Sequence, residues 1–287
     1  MNRLRCALAW LVIVWYSFPG KLREWCGYAR PRTEHYPMLR FFQLFGSYPV
    51  TITYPNPLTG QPLTLFLDLC RNTDLWYFRA RARYEVEWLR QTRRLIRETH
   101  AKTFVDVGAN LGVWSLTIAQ ACPSLHVLAI DPCQEHLAAL TYAATRLRLP
   151  QIQTQLGVCN HQVGEVPFYD NPFNNGDGSV ILEQVKECSQ VTRDTNIPTR
   201  PVTAYRLDDL LTDASVVKID VQGAEFRVLS GALQSLINGC LRGLICEVAR
   251  EHRAAIRSLF DRLPQWKVSW HGGPQVYTLI GQWRETA

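Results

Sequence analysis

The chain has 287 residues, of which 47% are hydrophobic, and a formal net charge of +6. This length suits one large domain with extensions or two small domains. The modest positive charge is compatible with an anionic acceptor or a membrane surface, but without a basic tail or an RNA-binding motif it does not indicate a nucleic-acid partner. The nine cysteines include no C-x-x-C pair, which disfavours a zinc site and predicts buried thiols in a reducing compartment.

An apolar run lies near the amino terminus, where Arg3 and Arg5 precede the 13 residues Cys6–Phe18. The run is too short for a transmembrane helix, which needs about 20 residues. Its length suits a signal-peptide core, but Pro19-Gly20-Lys21 follows in place of a small-residue cleavage site. An interfacial anchor with basic flanks and a helix docked on the domain are the other interpretations. We expect the protein to be cytoplasmic. If it contacts a membrane peripherally, residues 1–21 are expected to make that contact.

The next part of the chain predicts a small extension. Prolines over residues 30–50 predict an irregular linker. Apolar runs at Thr51–Tyr54 and Leu63–Leu69, separated by proline and glycine, predict a β-hairpin, which Trp76–Arg83 is expected to continue. Helical spacing then predicts a helix over Trp88–Thr99 with one apolar face and one arginine-rich face.

After this extension, apolar strands and helices alternate along the chain. Strands are predicted at 104–107, 126–130 and 151–158, and helices at 113–121 and 134–148. Such alternation implies parallel strands joined by right-handed crossovers. Further strands near 216–219 and 244–248, and a final hairpin at 266–270 and 276–280, complete the pattern. The predicted division of the chain is an N-terminal segment at 1–30, a hairpin-and-helix extension at 31–98 and an α/β domain at 99–287.

Two glycines, Gly108 and Gly112, punctuate the turn between the first strand of this domain and its helix. They permit a tight turn and close backbone approach, and nucleotide cofactors lie across such junctions. The dinucleotide motif G-x-G-x-x-G is absent, because Asn110 and Val113 occupy its second and third glycine positions. NAD and FAD therefore fit poorly. S-adenosylmethionine, a smaller and cationic ligand, fits better, since Asp106 can attract its ammonium group and the helix amides its carboxylate.

Acidic residues also follow two later strands. Asp131 lies 19 residues past Gly112, where an acid can accept both ribose hydroxyls of a nucleoside; otherwise it is a turn residue. Asp220 lies at the end of a third strand, and Gly223 follows it. Because ligands bind outside the carboxyl ends of strands in open α/β sheets, Asp106, Asp131 and Asp220 are expected to border one crevice.

Three motifs resemble those of the FkbM-type methyltransferases, namely Phe104–Trp114, Ala129–Pro132 and Val217–Ala232. The likeness runs from about Tyr84 to Glu247. It implies a class I methyltransferase fold, Rossmann-like, with a mostly parallel seven-stranded sheet and a C-terminal antiparallel hairpin. It also implies S-adenosylmethionine as the methyl donor, and O-methylation of a hydroxyl on a small molecule, sugar or glycolipid as the reaction.

One residue departs from the family pattern, because Gln222 stands where the family usually has Glu. The change removes a charge but keeps a hydrogen-bond acceptor. We therefore expect an altered contact to the acceptor substrate rather than lost activity. A catalytically weak nucleoside-binding protein of the same fold is an alternative, and a nucleotide-dependent oxidoreductase is another.

The resemblance also suggests roles for neighbouring residues. Glu85 is expected to close over the methionine end of the cofactor, or else to be a surface acid. Val158 is expected to contact the adenine ring and Asn160 its edge. Glu247 and His252 are weaker candidates for the base that an alcohol acceptor requires. The predicted cofactor-binding residues are Glu85, Asp106, Gly108, Asn110, Gly112, Asp131, Val158 and Asn160; the predicted catalytic residues are Asp220 and Glu225, with no essential metal.

The segment Asn171–Ser179 is rich in Asn, Gly and Asp. We expect it to be a lid or an acceptor contact beside the crevice, or else a plain hairpin turn. The pattern does not specify the acceptor, because acceptor contacts come from variable loops that fold analogy does not supply.

Overall fold

The computed structural model describes residues 4–5, 7–11, 36–44, 46–80, 85–187, 196–272 and 276–284. Some sequence predictions fall on residues that lie outside the described ranges, namely Arg3, Cys6, most of the apolar run and Tyr84. The strands are β1 (Pro49–Pro55), β2 (Pro62–Asp68), β3 (Thr103–Val107), β4 (His126–Asp131), β5 (Ile152–Leu156), β6 (Val158–Cys159), β7 (Gly164–Tyr169), β8 (Thr199–Tyr205), β9 (Ser215–Ile219), β10 (Leu241–Ala249), β11 (Trp266–Gly272) and β12 (Val276–Trp283). The helices are α1 (Tyr36–Gln43), α2 (Asn72–Ala80), α3 (Val86–Glu98), α4 (Val113–Ala121), α5 (Gln134–Leu147), α6 (Leu182–Lys186), α7 (Leu207–Leu210), α8 (Glu225–Ser230), α9 (Leu233–Asn238) and α10 (Arg253–Phe260).

Seven strands form the main sheet, in the order β11–β12–β10–β9–β3–β4–β5. Strand β12 runs antiparallel to its neighbours β10 and β11, and the other pairs are parallel. The predicted α/β architecture, with its antiparallel C-terminal hairpin, is confirmed. Strands β3 and β9 are central and almost wholly buried, as expected for parallel strands that are covered on both faces.

The two faces of the central strands contribute to different halves of the core. Phe104 on β3 belongs to a cluster that includes Leu116 of α4. Its neighbour Val105 belongs to the opposite cluster, with Ile219 of β9. Since side chains alternate between faces with a period of two, Asp106 points to the side of Phe104. Residues of β1, β2 and α3 belong to the same cluster as Phe104, so the N-terminal extension covers this side of the sheet.

The extension contains the predicted hairpin, in which β1 pairs antiparallel with β2. The irregular linker predicted over residues 30–50 is wrong for its described part, because α1 lies there. Leu39 and Phe42, three residues apart, are both buried. Pro37 falls in the first turn of the helix, where a missing N–H costs no hydrogen bond. The apolar spacing thus outweighed the prolines.

Helix α2 replaces the strand predicted over Trp76–Arg83, since the described part of that range is helical. Aromatic residues are enriched in strands, which explains the error. Asp74 is a sequence signal for the start of this helix. It lies in the first turn, and its carboxylate accepts the backbone N–H of Asp68 at 2.7 Å. Leu75 and Phe78 are fully buried at helical spacing.

Helix α3 confirms the amphipathic helix that the sequence predicts. Its arginine-rich face is solvated, because Arg90 and Arg94 form ion pairs only at exposed positions within the helix. Exposed pairs of this kind contribute little to stability. The core-facing residues of the helix are Leu89, Thr92, Leu95 and Ile96.

A second, three-stranded sheet has the order β6–β8–β7. The strand predicted over 151–158 divides at Gly157 between β5 in the main sheet and β6 in the small sheet. Strand β8 has no counterpart among the predictions. An isolated bridge between Tyr169 and Ser179 closes the polar loop that follows β7.

The described N-terminal residues 4–5 and 7–11 are helical and contact the extension. Ala9 is buried, and the ring of Trp10 lies 5.4 Å from that of Phe78 in α2. These contacts support the docked-helix interpretation for residues 7–11. Among the described residues, no helix is both long enough and apolar enough to span a bilayer. Three leucines on this segment are exposed: Leu4, Leu8 and Leu11.

Candidate active site

A cavity of about 530 Å³ lies at the carboxyl ends of β3, β4, β9 and β10. Small-molecule sites typically have volumes of roughly 300–1,000 Å³, so a nucleoside and part of a second ligand can fit. Five predicted site residues line this cavity: Gly108, Asn110, Asp131, Val158 and Asp220. The other five lie nearby without lining it: Glu85, Asp106, Gly112, Asn160 and Glu225.

The glycine turn brings β3 and β9 together at the cavity. Gly108 has a φ of +76°, and a Cβ there would overlap the carbonyl oxygen of Asp220. Asn110 also has a positive φ, of +51°. Gly112 does not line the cavity. A Cβ at this position would overlap the side chain of Leu140 in α5. Helix–helix contact is thus a reason for glycine at this position, and the cofactor contact of Gly112 stays a prediction.

Asp131 lines the cavity with both carboxylate oxygens already hydrogen-bonded. Its Oδ2 accepts the backbone N–H of Asn110 at 2.8 Å, and its Oδ1 accepts that of Cys133 at 2.9 Å. The ring of His136 lies 3.2 Å from Oδ1. Burial opposes a charge on His136, but hydrogen bonds to Asp131 and Cys133 and their charges outweigh it and raise the pKa of His136 to about 10. The orientation of Asp131 is thus fixed before any ligand binds.

The same three residues form the group of possible metal ligands found among the described residues. Ligand atoms of Asp131, Cys133 and His136 all lie within 4.8 Å of one another. Each has a hydrogen-bond partner here, since the Cys133 thiol lies 3.1 Å from the carboxylate of Glu135. These contacts explain the arrangement as a device that holds Asp131. The expectation that the protein uses no essential metal stays a prediction.

Two residues were predicted to contact adenine, and the structure separates them. Val158 lines the cavity close to Asp131 and presents an apolar wall. Asn160 is buried and turned toward His161, whose backbone N–H it accepts at 2.8 Å. It has no face on the cavity. Its side chain shapes the turn after β6, and its contact with adenine stays a prediction.

Asp106 is fully buried behind the cavity wall. Its Oδ2 accepts the hydroxyl of Ser115 at 2.7 Å and the backbone N–H of the same residue at 3.2 Å. Its Oδ1 lies 3.4 Å from the ammonium of Lys218. Asp106 therefore forms an internal ion pair with Lys218, and its contact with the cofactor ammonium stays a prediction. The strand pairing explains the ion pair, because Asp106 and Lys218 are register partners on β3 and β9.

Lys218 is the buried cation at the centre of the carboxyl edge. Its Nζ donates to the carbonyl oxygen of Gly108 at 3.0 Å and lies 3.5 Å from Oδ2 of Asp220. The Trp114 ring centroid is 5.9 Å away. Burial disfavours the charged form, but the negative charges of Asp220, Asp106 and nearby groups outweigh it and raise the pKa of Lys218. Lys218 was not among the predicted site residues, although it lies two residues before Asp220 on the same strand face.

Asp220 borders the cavity as predicted, and Gln222 is tied to it. The side-chain amide of Gln222 donates to Oδ1 of Asp220 at 2.9 Å. Gln222 has a φ of +52°, and its carbonyl accepts the Ser179 hydroxyl at 2.8 Å. The residue that departs from the family pattern therefore holds the loop and Asp220 together. With Oδ2 facing Lys218, both oxygens of Asp220 have partners.

The sequence matches a family model described as the methyltransferase FkbM domain over residues 106–269, more than half of the chain. The chain belongs to the FkbM methyltransferase family. Its sheet order and antiparallel β12 give it the class I methyltransferase fold. The family and fold are those of S-adenosylmethionine-dependent methyltransferases.

Solved structures of other methyltransferases are similar to this chain at low identity. An rRNA methylase from Streptococcus thermophilus has 10% identity and a TM-score of 0.42, with 68% of this chain and 95% of that chain covered. A precorrin-6y C5,15-methyltransferase from Geobacter metallireducens has 12% identity and a TM-score of 0.41, with coverage of 70% and 90%. A methyltransferase from Geobacter sulfurreducens has 17% identity and a TM-score of 0.37, with coverage of 68% and 78%. Comparison with curated proteins finds no significant match.

Two glutamates of this FkbM-family protein lie near Asp220, and only one reaches the cavity. Glu247, at the end of β10, lines it. The charge of Asp220 and burial raise the pKa of Glu247 to about 8. Glu225 is buried and accepts the N–H of Gly223 at 2.9 Å, and burial raises its pKa to about 7. Glu225 thus supports the turn after β9 from behind, and its catalytic role stays a prediction.

Glu85 acts through Trp114 rather than on the cavity directly. Its Oε2 accepts the indole N–H of Trp114 at 2.7 Å, and the indole lines the cavity. Glu85 has a φ of +44° at the start of α3. Glu85 therefore orients Trp114, and its charge also acts on Lys218. Its direct contact to the cofactor stays a prediction.

The polar loop and helix α2 close the remaining side of the cavity. Asn171, Asn174 and Asn175 of the loop line it, which favours the lid interpretation over a plain turn. The Thr73 hydroxyl of α2 donates to Oδ1 of Asn174 at 2.7 Å. The α2 wall was not predicted, because a strand was expected there; the Asn-Thr-Asp start of the helix was the available signal. The α2 residues that line the cavity are Asn72, Thr73, Trp76 and Tyr77.

Proposed function

We propose that this FkbM-family protein transfers the methyl group of S-adenosylmethionine to a hydroxyl on a small molecule, sugar or glycolipid. The observation that carries the proposal is a single cavity with two unlike ends. One end presents Asp131, held by backbone amides. The other presents Asp220 and Glu247 around the buried Lys218. A cationic nucleoside is a ligand that matches both ends.

The Asp131 end fits the nucleoside part of the donor. The carboxylate is on the cavity wall in a fixed orientation and retains lone pairs that can accept hydroxyl donors. Val158 provides an apolar surface for a base. Gly108 allows the turn to lie directly against β9, which leaves the space above it open. These features together form a cradle for an adenosine group.

The opposite end fits the positive part of the donor. Asp220 and Glu247 both face the one buried ammonium of Lys218 on this wall, so the wall carries an excess of negative charge once Glu247 is ionised. Bound S-adenosylmethionine supplies a methyl carbon already activated by a sulfonium, so alignment and exclusion of water are the main requirements. The carboxylates attract a cation more strongly than a neutral thioether, so this end favours the methyl donor over its demethylated product.

The acceptor side supports an oxygen nucleophile. An alcohol needs a proton acceptor when its oxygen attacks, and cavity carboxylates can supply one. The fourth strand of the parallel core is followed by Asp220-Val-Gln-Gly223 and not by the Asn-Pro-Pro-Tyr type of motif that serves N-methylation. Side-chain amides of the loop and the rings of Trp76 and Tyr77 provide hydrogen bonds and apolar contact for a hydroxylated ligand.

Two tests address the donor and the acceptor separately. Calorimetry should detect binding of S-adenosylmethionine and S-adenosylhomocysteine to the folded protein. A screen with labelled methyl donor against lipid, glycan and small-molecule fractions should then show transfer to a hydroxyl. Absence of heat with either nucleoside at millimolar concentration would reject the cofactor. Binding without transfer to any fraction would support the alternative of a catalytically weak binding protein, and binding of a nicotinamide cofactor would support an oxidoreductase.

Peripheral membrane contact and a cytoplasmic location stay predictions. Leu4, Leu8 and Leu11 recur on one side of the N-terminal helix and are exposed, and Arg5 lies among them. Such a stripe can insert at the edge of a bilayer. Co-sedimentation with anionic vesicles tests this: replacement of the three leucines by glutamate should release the protein, whereas Leu233→Glu, at another exposed leucine, should not.

A further inference from the structure

Asp220 and Glu247 are neighbours at the carboxyl edge of the sheet. Strands β9 and β10 are parallel, and their last paired residues are Ile219 and Cys246. The next residue on each strand is the carboxylate in question. Both line the cavity, so an acceptor hydroxyl placed there meets two acids on adjacent strands.

The two acids differ in their hydrogen bonds. Asp220 directs one oxygen to the Gln222 amide and the other to the Lys218 ammonium. A proton on Asp220 would weaken one of these contacts. No side chain or backbone donor among the described residues hydrogen-bonds to the Glu247 carboxylate. Glu247 is therefore the acid on this wall that is free to receive a proton.

The charges that face Glu247 come from several elements. Asp220 on β9, Glu85 before α3 and Glu225 on α8 oppose its ionisation, and burial acts in the same direction. Lys218 on β9 acts the other way. The acids and burial together outweigh Lys218 and raise the pKa of Glu247 to about 8. A base is most effective when its pKa lies near the working pH, which suits Glu247 for proton transfer.

We propose that Glu247 is the residue that accepts the proton of the acceptor hydroxyl during methyl transfer, and that Asp220 is a positioning residue that keeps Glu247 basic. This inference rests on the proposed function. The acceptor oxygen forms a bond to the methyl carbon while the carbon–sulfur bond breaks, and that electron pair stays on sulfur. The hydroxyl proton moves to a carboxylate oxygen of Glu247 and then to water.

The direction of the pH dependence follows from this assignment. Glu247 accepts a proton only when it is ionised, so kcat/KM should rise with pH through about 8. Replacement of Asp220 by Asn removes the largest charge that opposes ionisation. The rising limb of the profile should then move to lower pH, even though overall turnover falls.

The experiment compares pH profiles of kcat and kcat/KM for the wild type, Glu247→Gln, Glu247→Asp and Asp220→Asn, with an acceptor fraction from the methyl-transfer screen. Glu247→Gln should lower kcat by about 10²–10⁴-fold and abolish the rising limb. Glu247→Asp should restore part of the rate and the limb. Glu165→Gln, at an exposed glutamate on β7, is the matched control and should leave both unchanged.

A second readout needs no acceptor. Because ionised Glu247 attracts the sulfonium, affinity for S-adenosylmethionine should rise with pH through the same range, and this dependence should vanish in Glu247→Gln. Wild-type turnover and pH profile retained in Glu247→Gln would overturn the inference while leaving the proposed function intact. Failure of the wild type to methylate any fraction would reject the proposed function and this inference with it.

Discussion

At one end of the cavity, Asp131 accepts the backbone N–H groups of Asn110 and Cys133. At the other, Glu247 lies beside Asp220 with no hydrogen-bond donor among the described residues. The first arrangement is rigid, because backbone amides fix the orientation of the Asp131 carboxylate. At the second end, the charges of neighbouring groups determine the protonation of Glu247. The cavity thus combines a preorganised binding end with an electrostatically adjustable one.

The difference has a consequence for ligand discrimination. In the proposed binding mode, hydrogen bonds at the Asp131 end would act on the nucleoside, which the methyl donor and its demethylated product share. Coulomb attraction at the Glu247 end would act on the sulfonium, which only the donor has. Substitutions at the two ends should therefore separate affinity for the nucleoside from preference for the charged form.

The largest effect is expected from loss of the cation that holds the charged end together. Lys218→Met should lower the free energy of unfolding by about 3–5 kcal/mol, because removal of one member of a buried ion pair leaves the other charge uncompensated. Adding Asp106→Asn should recover part of that loss, since Asp106 lies 3.4 Å from Lys218 in a fully buried site. Chemical denaturation of the two variants and the wild type measures both changes.

Lys102→Met serves as the control for this cycle, because Lys102 is exposed at the opposite end of β3. Its stability should match that of the wild type. If the double variant is no more stable than Lys218→Met, then Asp106 is not the charge that Lys218 compensates, and the electrostatic description of this end is wrong.

The next effect concerns the turn that joins the two ends. Gly108 and Gly60 both have φ near +75°, but a Cβ at Gly60 meets nothing within 4 Å, whereas one at Gly108 overlaps Asp220. Gly60→Ala should cost about 1–2 kcal/mol from the left-handed backbone alone. Gly108→Ala should cost about 1–3 kcal/mol more because of overpacking, and it should weaken donor binding. Equal losses in thermal or chemical unfolding would show that β9 yields to the added methyl.

Sequence patterns predicted the main domain well because its signals are local. Buried strands followed by glycine or acid, and helices with clear apolar stripes, gave the parallel core and the crevice that Asp131 and Asp220 border. Strand order, β8 and the split at Gly157 depend on long-range pairing. Neither periodicity nor propensity records such pairing, so these features could not be read from the sequence.

Site residues were harder to assign, because a motif gives position but not direction. Asp106 and Glu225 are in the expected segments, yet both are turned into the interior. Lys218 and Glu247 line the cavity, but neither belongs to a glycine turn of the kind on which the site predictions relied. The period-two alternation along β9 links Lys218 to Asp220, and the same parity could have identified it as a site residue.

A smaller effect is expected at the binding end. Asp131→Ala should weaken S-adenosylmethionine and S-adenosylhomocysteine equally, by about 10- to 100-fold, since one charge-assisted hydrogen bond contributes about 1.5–3 kcal/mol. Asp208→Ala is a matched control. The Asp208 carboxylate, on α7, also accepts two backbone N–H groups, but these belong to the first turn of α9, away from the cavity. Calorimetric titration with both nucleosides measures the ratio; a selective loss of the methyl donor would erase the distinction between the two ends.

The smallest effect should come from the contact between α2 and the polar loop. Thr73→Val keeps the shape of the side chain but removes the hydroxyl that donates to Asn174 at 2.7 Å. A neutral hydrogen bond contributes about 0.5–1.5 kcal/mol, so KM for the acceptor should rise about two- to tenfold while donor affinity stays unchanged. Thr64→Val removes a comparable hydroxyl from the exposed hairpin and should alter neither. If Thr73→Val weakens the donor as much as the acceptor, the loop belongs to the nucleoside end of the cavity and not to a separate acceptor wall.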